Sequence, residues 1–99
     1  MEGRARISAD VLAFYAADAA TEIDGVRGLA ESPLPGRRGV RVTADDERIS
    51  LELHLIVGWG VSIPAVGRSV QERVAEYLER MADVRPAAVD VVVDQIAAR

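Results

Sequence analysis

The sequence contains no cysteine and no lysine, one histidine and few aromatic residues. Without cysteine, neither a disulfide framework nor a thiolate metal site can form. Aromatic residues make up 4% of the chain and hydrophobic residues 49%, so the core must be built from Val, Ile, Leu and Ala. A chain of this length buries roughly 65% of its unfolded surface, which is enough for one modest core. We therefore predict that residues 1–99 form one domain.

Long apolar runs are also missing, and the chain is acidic. The longest apolar stretch, from Leu53 to Val61, is interrupted by His54 and two glycines, and it is far shorter than the roughly 20 apolar residues of a membrane span. The N-terminus reads MEGRARIS and lacks the apolar segment of a secretory signal. A net charge of −4 disfavours binding to nucleic acid or anionic lipid. These features predict a cytoplasmic protein without direct membrane insertion and without a nucleic-acid partner.

A first helix is indicated by a start signal at Ser8, a suitable N-cap, with Ile7 and Leu12 in the positions of a hydrophobic staple. Gly25 is predicted to end this helix in a left-handed conformation. Apolar residues at helical spacing form one stripe: Leu12, Tyr15, Ala16, Ala19 and Ile23. Phe14 points away from the stripe, so it is either a scattered surface aromatic or part of an interface.

A second helix is predicted from Ser62, again a suitable N-cap, to the neighbourhood of Asp83. Pro64 falls in the first turn, where no intrahelical donor is lost. Gly67 lies within the apolar stripe of this helix, and we expect its missing side chain to let the helix approach the sheet closely.

The strongest strand pattern is RISLELHLIV, in which apolar and polar residues alternate. Together with GVRVTA it predicts a β-hairpin that turns at Asp45–Asp46. We expect Val42 to pair with Ile49 and Val40 with Leu51, because this register puts both apolar sets on one face.

Two further strands complete the predicted fold, a short one from Val26 to Ala30 and a final one from Ala87 to Ile96. The order α-β-β-β-α-β predicts an α+β two-layer sandwich. Its sheet would be small and mostly antiparallel, with three to four strands and both helices on one face. The first strand is the least defined, and the pattern also allows a short strand from Arg4 to Ile7.

The sheet face that the helices leave uncovered is the informative feature. Alternation puts three apolar residues there: Ile56, Val92 and Ile96. Apolar residues clustered on an uncovered face indicate an interface, although isolated exposed aliphatics are common. The candidate interface residues are therefore Ile56, Val92, Ile96 and Phe14.

The segment Gly58-Trp59-Gly60 lies between a strand and a helix, as a dinucleotide-binding turn does. The third glycine of that fingerprint is replaced by Ile63, and a phosphate-binding P-loop would need a lysine. We interpret the glycines as a tight strand-to-helix turn, and no cofactor is expected.

The segment Gly25 to Gly28 matches the G-x-x-G of an RNA-clamping KH loop. That loop joins two helices, whereas strands and a Pro-rich loop follow here, and the acidic balance also disagrees. A small RNA-binding module is therefore kept only as the alternative function.

His54 is the only histidine, and it lies beside Glu52 on the polar face of its strand. It could act as a general base or a single metal ligand, but a surface cross-strand neighbour is the commoner role of such a residue. No pattern groups a nucleophile, a base and an acid. We expect neither catalysis nor a metal site.

Several ordered segments together resemble one family. They are IS-ADV at Ile7–Val11, EIDGV at Glu22–Val26, GVRV, then WGVSIPAVGRSVQERV, and finally VDVVV. The set is similar to the alkaline shock protein family of bacterial envelope-stress proteins. The motif residues are Glu22, Gly25, Trp59, Gly60 and Gln71, with Trp59 standing where the family usually has Tyr.

The resemblance implies a non-catalytic role in cell-envelope homeostasis under stress. It implies a cytoplasmic protein that self-assembles as a homo-oligomer or with a paralogue. Some members sit at the inner face of the membrane through a small membrane-anchored partner, and many carry a tail after the last strand.

Overall fold

The computed structural model describes residues 6–31 and 39–98. These residues form two helices and four strands in the predicted order: α1 (Ala9–Thr21), β1 (Val26–Leu29), β2 (Val40–Asp45), β3 (Arg48–Val57), α2 (Ile63–Ala82) and β4 (Ala88–Ile96). The α+β class is therefore confirmed. The possible extra strand from Arg4 to Ile7 falls partly outside the described residues, and Arg6 and Ile7 do not form a strand.

The sheet is built around β3. Strands β1 and β2 both pair antiparallel with β3, β2 along its first part and β1 along its last three residues. Strand β4 pairs with β3 in parallel, so β1 and β2 follow one another along the opposite edge of β3. A parallel pair needs a crossover connection, and α2 is that crossover.

The β2–β3 hairpin turns one residue later than predicted. Asp45 pairs with Arg48, and the two residues between them, Asp46 and Glu47, both have positive φ angles, 45° and 67°. Such a turn matches the twist of an antiparallel pair. Val40 consequently pairs with Leu53, and Val42 pairs with Leu51, which corrects the predicted register by two residues. The apolar face is unchanged, because a shift of two residues preserves the side-chain alternation.

Both helices cover the same face of the sheet, as predicted. The alternating residues of β3 on that face are almost inaccessible to solvent, and they pack with one side of each helix. The fully buried side chains with the largest volumes are Leu51, Leu53, Leu55, Leu78, Val57, Val70 and Val74. The core is thus aliphatic, as the composition requires.

The helix starts are confirmed and one predicted helix end is wrong. Ser8 accepts a hydrogen bond from the backbone N–H of Val11 at 3.2 Å, and Ser62 accepts one from Ala65 at 3.4 Å. Helix α1 ends at Thr21 with Glu22 as its C-cap. Gly25, the predicted cap, lies beyond the helix in the turn that leads to β1 and has a φ angle of 97°.

Gly67 does not bring α2 close to the sheet. A Cβ atom placed on Gly67 would have no neighbouring atom within 4 Å. The expectation of a close approach is therefore wrong, because α2 packs on the sheet through the valines on either side of this residue.

Candidate interaction surface

The face of the sheet that the helices do not cover is called the open face here. Its central row consists of the β3 side chains that alternate with the buried ones, and all four are half-buried: Ser50, Glu52, His54 and Ile56. Their partners in register are Arg41 and Thr43 on β2, Gly28 on β1, and Ala88, Asp90, Val92 and Gln95 on β4. The open face is thus mixed in chemistry, with both signs of charge and an apolar part.

The apolar part of the open face contains two of the predicted interface residues. Val92 is aligned with His54 and is 36% exposed. Ile56 is aligned with Gly28 on the other side of β3, and a Cβ on that glycine would meet nothing within 4 Å. One side of Ile56 is therefore left accessible by the glycine.

Ile96 does not align with the other two. The β3–β4 register shifts after Leu55, so that Ile56 pairs with Gln95 and Val57 with Ile96. A bulge inserts one residue and reverses the alternation beyond it. Ile96 is therefore in register with a residue of the helix-covered face, contrary to the prediction, and it is 52% exposed at the end of the strand.

Phe14 lies on the opposite side of the molecule from the open face. It projects from α1, which packs on the covered face, and is 68% exposed. Its ring centroid is 6.2 Å from that of Tyr15. The structure does not bring Phe14 together with Ile56 and Val92, so the predicted interface residues belong to separate surfaces.

His54 is bound by two carboxylates at the centre of the open face. Its Nε2 atom lies 3.1 Å from Oε2 of Glu52, and its Nδ1 atom lies 3.0 Å from Oδ2 of Asp94. The hydrogen bonds to Glu52 and to Asp94 raise the pKa of His54 above 6.5, because both favour the protonated ring. The sequence indicated Glu52 as a neighbour, since it is two residues away on the same strand. It gave no signal for Asp94, because that residue is distant in the chain and comes close to His54 only through the pairing of β4 with β3.

The His54 cluster has the geometry of a charge cluster and not of a metal centre. The two carboxylates bind different nitrogens of one ring, so each ring nitrogen already has a protein partner. Over residues 6–31 and 39–98, no group of three or more His, Cys, Asp and Glu side chains could hold a metal ion.

Two of the family-motif residues make contacts between elements. Glu22 forms an ion pair with Arg73, with Oε2 2.8 Å from Nη1, and this joins the end of α1 to α2. Gln71 donates a hydrogen bond from Nε2 to the backbone carbonyl of Val89 at 3.0 Å, which joins α2 to β4.

Two more motif residues are glycines in conformations that other residues rarely adopt. Gly25 and Gly60 have φ angles of 97° and 84°, in the region that favours glycine. A Cβ on Gly25 would also lie 3.1 Å from Val66 and 3.2 Å from Val61. Trp59, in the turn before Gly60, is 59% exposed.

The glycine motifs have the geometry of turns and strands. Gly60 follows β3 in a tight turn that leads to α2. This is the strand-to-helix turn predicted from the sequence in place of a nucleotide site. In the G-x-x-G segment, Gly25 lies in a turn while Gly28 lies within β1. This segment therefore does not join two helices, as an RNA-clamping loop would.

Arg41 is exposed on the open face and aligned with Glu52. Arg37 and Arg38, in the Pro-rich segment of the sequence, lie outside the described residues.

Neither described helix is long and apolar enough to cross a membrane.

The fold and the open face define a class, a small α+β protein with helices on one side of a sheet. Within that class, the chain belongs to the alkaline shock protein family, whose model matches residues 1–98 and is described as having a cell envelope-related function. The resemblance seen in the sequence is therefore confirmed.

Two relatives illustrate the family. The uncharacterized protein YqhY of Bacillus subtilis is 35% identical over 89 residues, a match that covers 80% of this chain and 66% of YqhY. The uncharacterized protein Spy1614 of Streptococcus pyogenes serotype M6 is 32% identical over 107 residues, covering 96% of this chain and 88% of that protein.

Similar solved structures include several MamM CTD variants. One variant in its manganese form has a TM-score of 0.60 at 16% identity, covering 89% of this chain and 99% of that one. Another has a TM-score of 0.62 at 14% identity, covering 92% and 100%. At this identity the likeness shows a shared fold and nothing about function.

Proposed function

We propose that this protein is a non-catalytic scaffold of the bacterial envelope stress response. It acts in the cytoplasm, through self-association or through a small membrane-anchored partner that holds it at the inner face of the membrane. Membership of a family with a cell envelope-related function supports the cellular setting. The observation that carries the scaffold role is the open face, one whole side of the sheet that no described element covers.

The chemistry of the open face suits association with a second copy. Val92 is exposed, and the half-buried Ile56 lies two residues beyond the residue with which Val92 is aligned. Both supply apolar area, and removal of such area from water favours association. Arg41 on β2 and Asp90 on β4 place opposite charges on the two sides of β3. Two copies related by a twofold axis can therefore match positive against negative regions.

The test is a pair of substitutions at residues of similar exposure. Val92→Glu puts a charge on the open face, and Ile63→Glu puts one on the first turn of α2, where the wild-type residue is 40% exposed. Sedimentation velocity over a concentration series should show weaker self-association for Val92→Glu and no change for Ile63→Glu. Cell fractionation with both variants would report recruitment to the membrane in parallel. A wild-type protein that stays monomeric, together with unchanged localisation of Val92→Glu, would refute the proposal.

A further inference from the structure

Aromatic residues are scarce in this protein, and three of the four lie together in the helical layer. Tyr15 and Tyr77 are partly buried against the core, and Phe14 is exposed. The ring centroids of Phe14 and Tyr15 are 6.2 Å apart, and Tyr15 meets Tyr77 of α2 edge-on at 5.7 Å. The row runs from α1 across to α2 and ends at Phe14, whose side chain is 68% exposed. The remaining aromatic residue is Trp59 in the strand-to-helix turn.

Two more exposed apolar residues flank this row. Val11, three residues before Phe14 on α1, is 42% exposed, and Met81 on α2 is 46% exposed. Contacts from Glu22 to Arg73 and from Asp18 to Tyr77 show that α1 and α2 pack antiparallel. These two contacts lie four residues apart on each helix. Four residues further on, the same antiparallel alignment places Met81 at the level of Phe14. The helix-layer patch is therefore defined by Val11, Phe14, Tyr15, Tyr77 and Met81.

The two helices differ in a way that points to a partner on this side. Helix α2 is amphipathic, with a buried row of four residues and charged residues on its outer surface. Helix α1 is apolar on nearly all sides, although its buried residues occupy one side alone: Leu12, Ala16, Ala19 and Ala20. A helix that is apolar all round is normally covered all round, and aromatic residues and Met are enriched at protein interfaces.

The charged residues around the patch indicate which kind of molecule could bind there. The charged residues within α1 are both acidic, Asp10 and Asp18. On α2, the guanidinium of Arg80 lies over the Tyr77 ring at 5.3 Å. Anionic lipid would be repelled by the two carboxylates. A second copy docked patch to patch would bring four carboxylates together, so it is disfavoured for the same reason.

We propose that the helix-layer patch docks a basic amphipathic helix of a partner protein. The apolar side of that helix lies against Phe14, Val11 and Met81, and its Arg or Lys residues face Asp10 and Asp18. This site lies on the other side of the molecule from the open face, so it goes beyond the scaffold contact proposed above. One protein could then bind a copy of itself and a partner at the same time.

The probe for this proposal is a synthetic amphipathic peptide of about 18 residues, long enough to be partly helical, with Leu on one side and Lys on the other. Binding is measured by titration of a labelled peptide, and its location by amide shifts in NMR spectra. The wild-type protein should bind the peptide with shifts confined to α1 and the C-terminal half of α2. Binding should weaken as salt is added. A matched peptide with Glu in place of Lys should bind at least about tenfold more weakly, because the charge contacts become repulsive.

The decisive variants are Phe14→Ala and the control Ile63→Ala, which removes an exposed apolar side chain from the far end of α2. Loss of an aromatic anchor should weaken binding about tenfold or more, while the control should bind as the wild type does. No binding by wild-type protein, equal binding of the Lys and Glu peptides, or unchanged binding by Phe14→Ala would each overturn the proposal.

Two further measurements separate the other occupants. If Phe14→Ala abolishes self-association in sedimentation velocity, the patch is a contact between copies and the proposal is wrong. If wild-type protein binds phosphatidylglycerol vesicles and Phe14→Ala does not, the patch is a lipid surface and the proposal is also wrong. Val92→Glu should leave peptide binding intact. The peptide test can therefore contradict the helix-layer proposal without contradicting the proposed function of the open face, and the reverse also holds.

Discussion

The Nδ1 atom of His54 lies 3.0 Å from Oδ2 of Asp94, although forty residues separate the two along the chain. The contact joins β3 to β4 on the open face, and the second ring nitrogen of His54 contacts Glu52. One imidazole thus lies between two carboxylates at the centre of the surface proposed for association. The charge of that surface therefore depends on pH.

The pKa of His54 should be measured above 6.5 in the folded protein, because Glu52 and Asp94 both favour the protonated ring. An NMR titration of the imidazole protons gives the midpoint directly. Asp94→Asn and Glu52→Gln should each lower the midpoint, since each removes one negative charge beside the ring. A midpoint that neither substitution moves would contradict the contacts described here.

The same contacts make a contribution to stability that varies with pH. A raised folded-state pKa means that the stabilisation is fully present below the unfolded value of 6.5 and is lost as pH rises through the folded-state value. The free energy of unfolding of wild-type protein should therefore exceed that of His54→Gln by a larger margin at about pH 6 than at about pH 9. We expect a difference of at most about 1 kcal/mol, because the groups are about a third exposed and solvent screens them. Urea unfolding at both pH values would measure it, and a difference that grows with pH would have the wrong sign.

Two Gly→Ala substitutions should change stability in opposite directions. Gly25→Ala places a Cβ at a φ angle of 97°, about 3.1 Å from Val66, and we expect a loss of about 2 kcal/mol. Gly67→Ala lies inside α2 with nothing within 4 Å of its Cβ, so it should gain about 0.5–1 kcal/mol from helix propensity. Thermal unfolding of both variants beside wild type gives the signs. A stabilised Gly25→Ala or a destabilised Gly67→Ala would show that the local backbone differs from the one described.

Gln71 should contribute to stability through its hydrogen bond to the Val89 carbonyl. Gln71→Ala should lower the free energy of unfolding by about 0.5–1.5 kcal/mol, whereas Glu72→Ala, on the exposed neighbouring position, should change it by less than about 0.5 kcal/mol. Hydrogen exchange at the β4 amides should rise in the first variant and not in the second. Equal effects of the two substitutions would remove the assigned role of Gln71.

The two faces of the sheet should respond differently to truncation. Leu53 is inaccessible to solvent, and Leu53→Ala should destabilise the protein by about 2–5 kcal/mol through the lost burial and the cavity left behind. Val92→Ala should change stability by no more than about 0.5 kcal/mol, as is usual for an exposed position. Chemical denaturation distinguishes these results. A large loss in Val92→Ala would mean that effects on association at this position reflect unfolding.

Much of the fold could be predicted because local signals agree with one another. The Ser8 and Ser62 caps, the alternation in β3 and the two helical stripes each depend on residues close together in sequence. The alternation also predicted which face of the hairpin is buried. It could not predict the register, because pairings that differ by two residues bury the same side chains; the turn at Asp46 and Glu47 decided that.

The family-motif residues also show what a sequence pattern predicts and what it does not. Their ordered pattern in the sequence indicated the family, and the family model confirms it over residues 1–98. What Gln71 and Glu22 contact could not be read from the pattern, since their partners lie on elements distant in the chain.

By itself the sequence determined the element order, the aliphatic core, the uncovered sheet face and the family. The tertiary structure alone decided that β4 runs parallel to β3, that a bulge turns Ile96 away from Val92, and that Asp94 meets His54. It also placed Tyr77 of α2 beside Tyr15 of α1, through the antiparallel packing of the two helices. The physical reason is that periodicity specifies which way each side chain faces, whereas the packing of distant segments specifies which side chains meet.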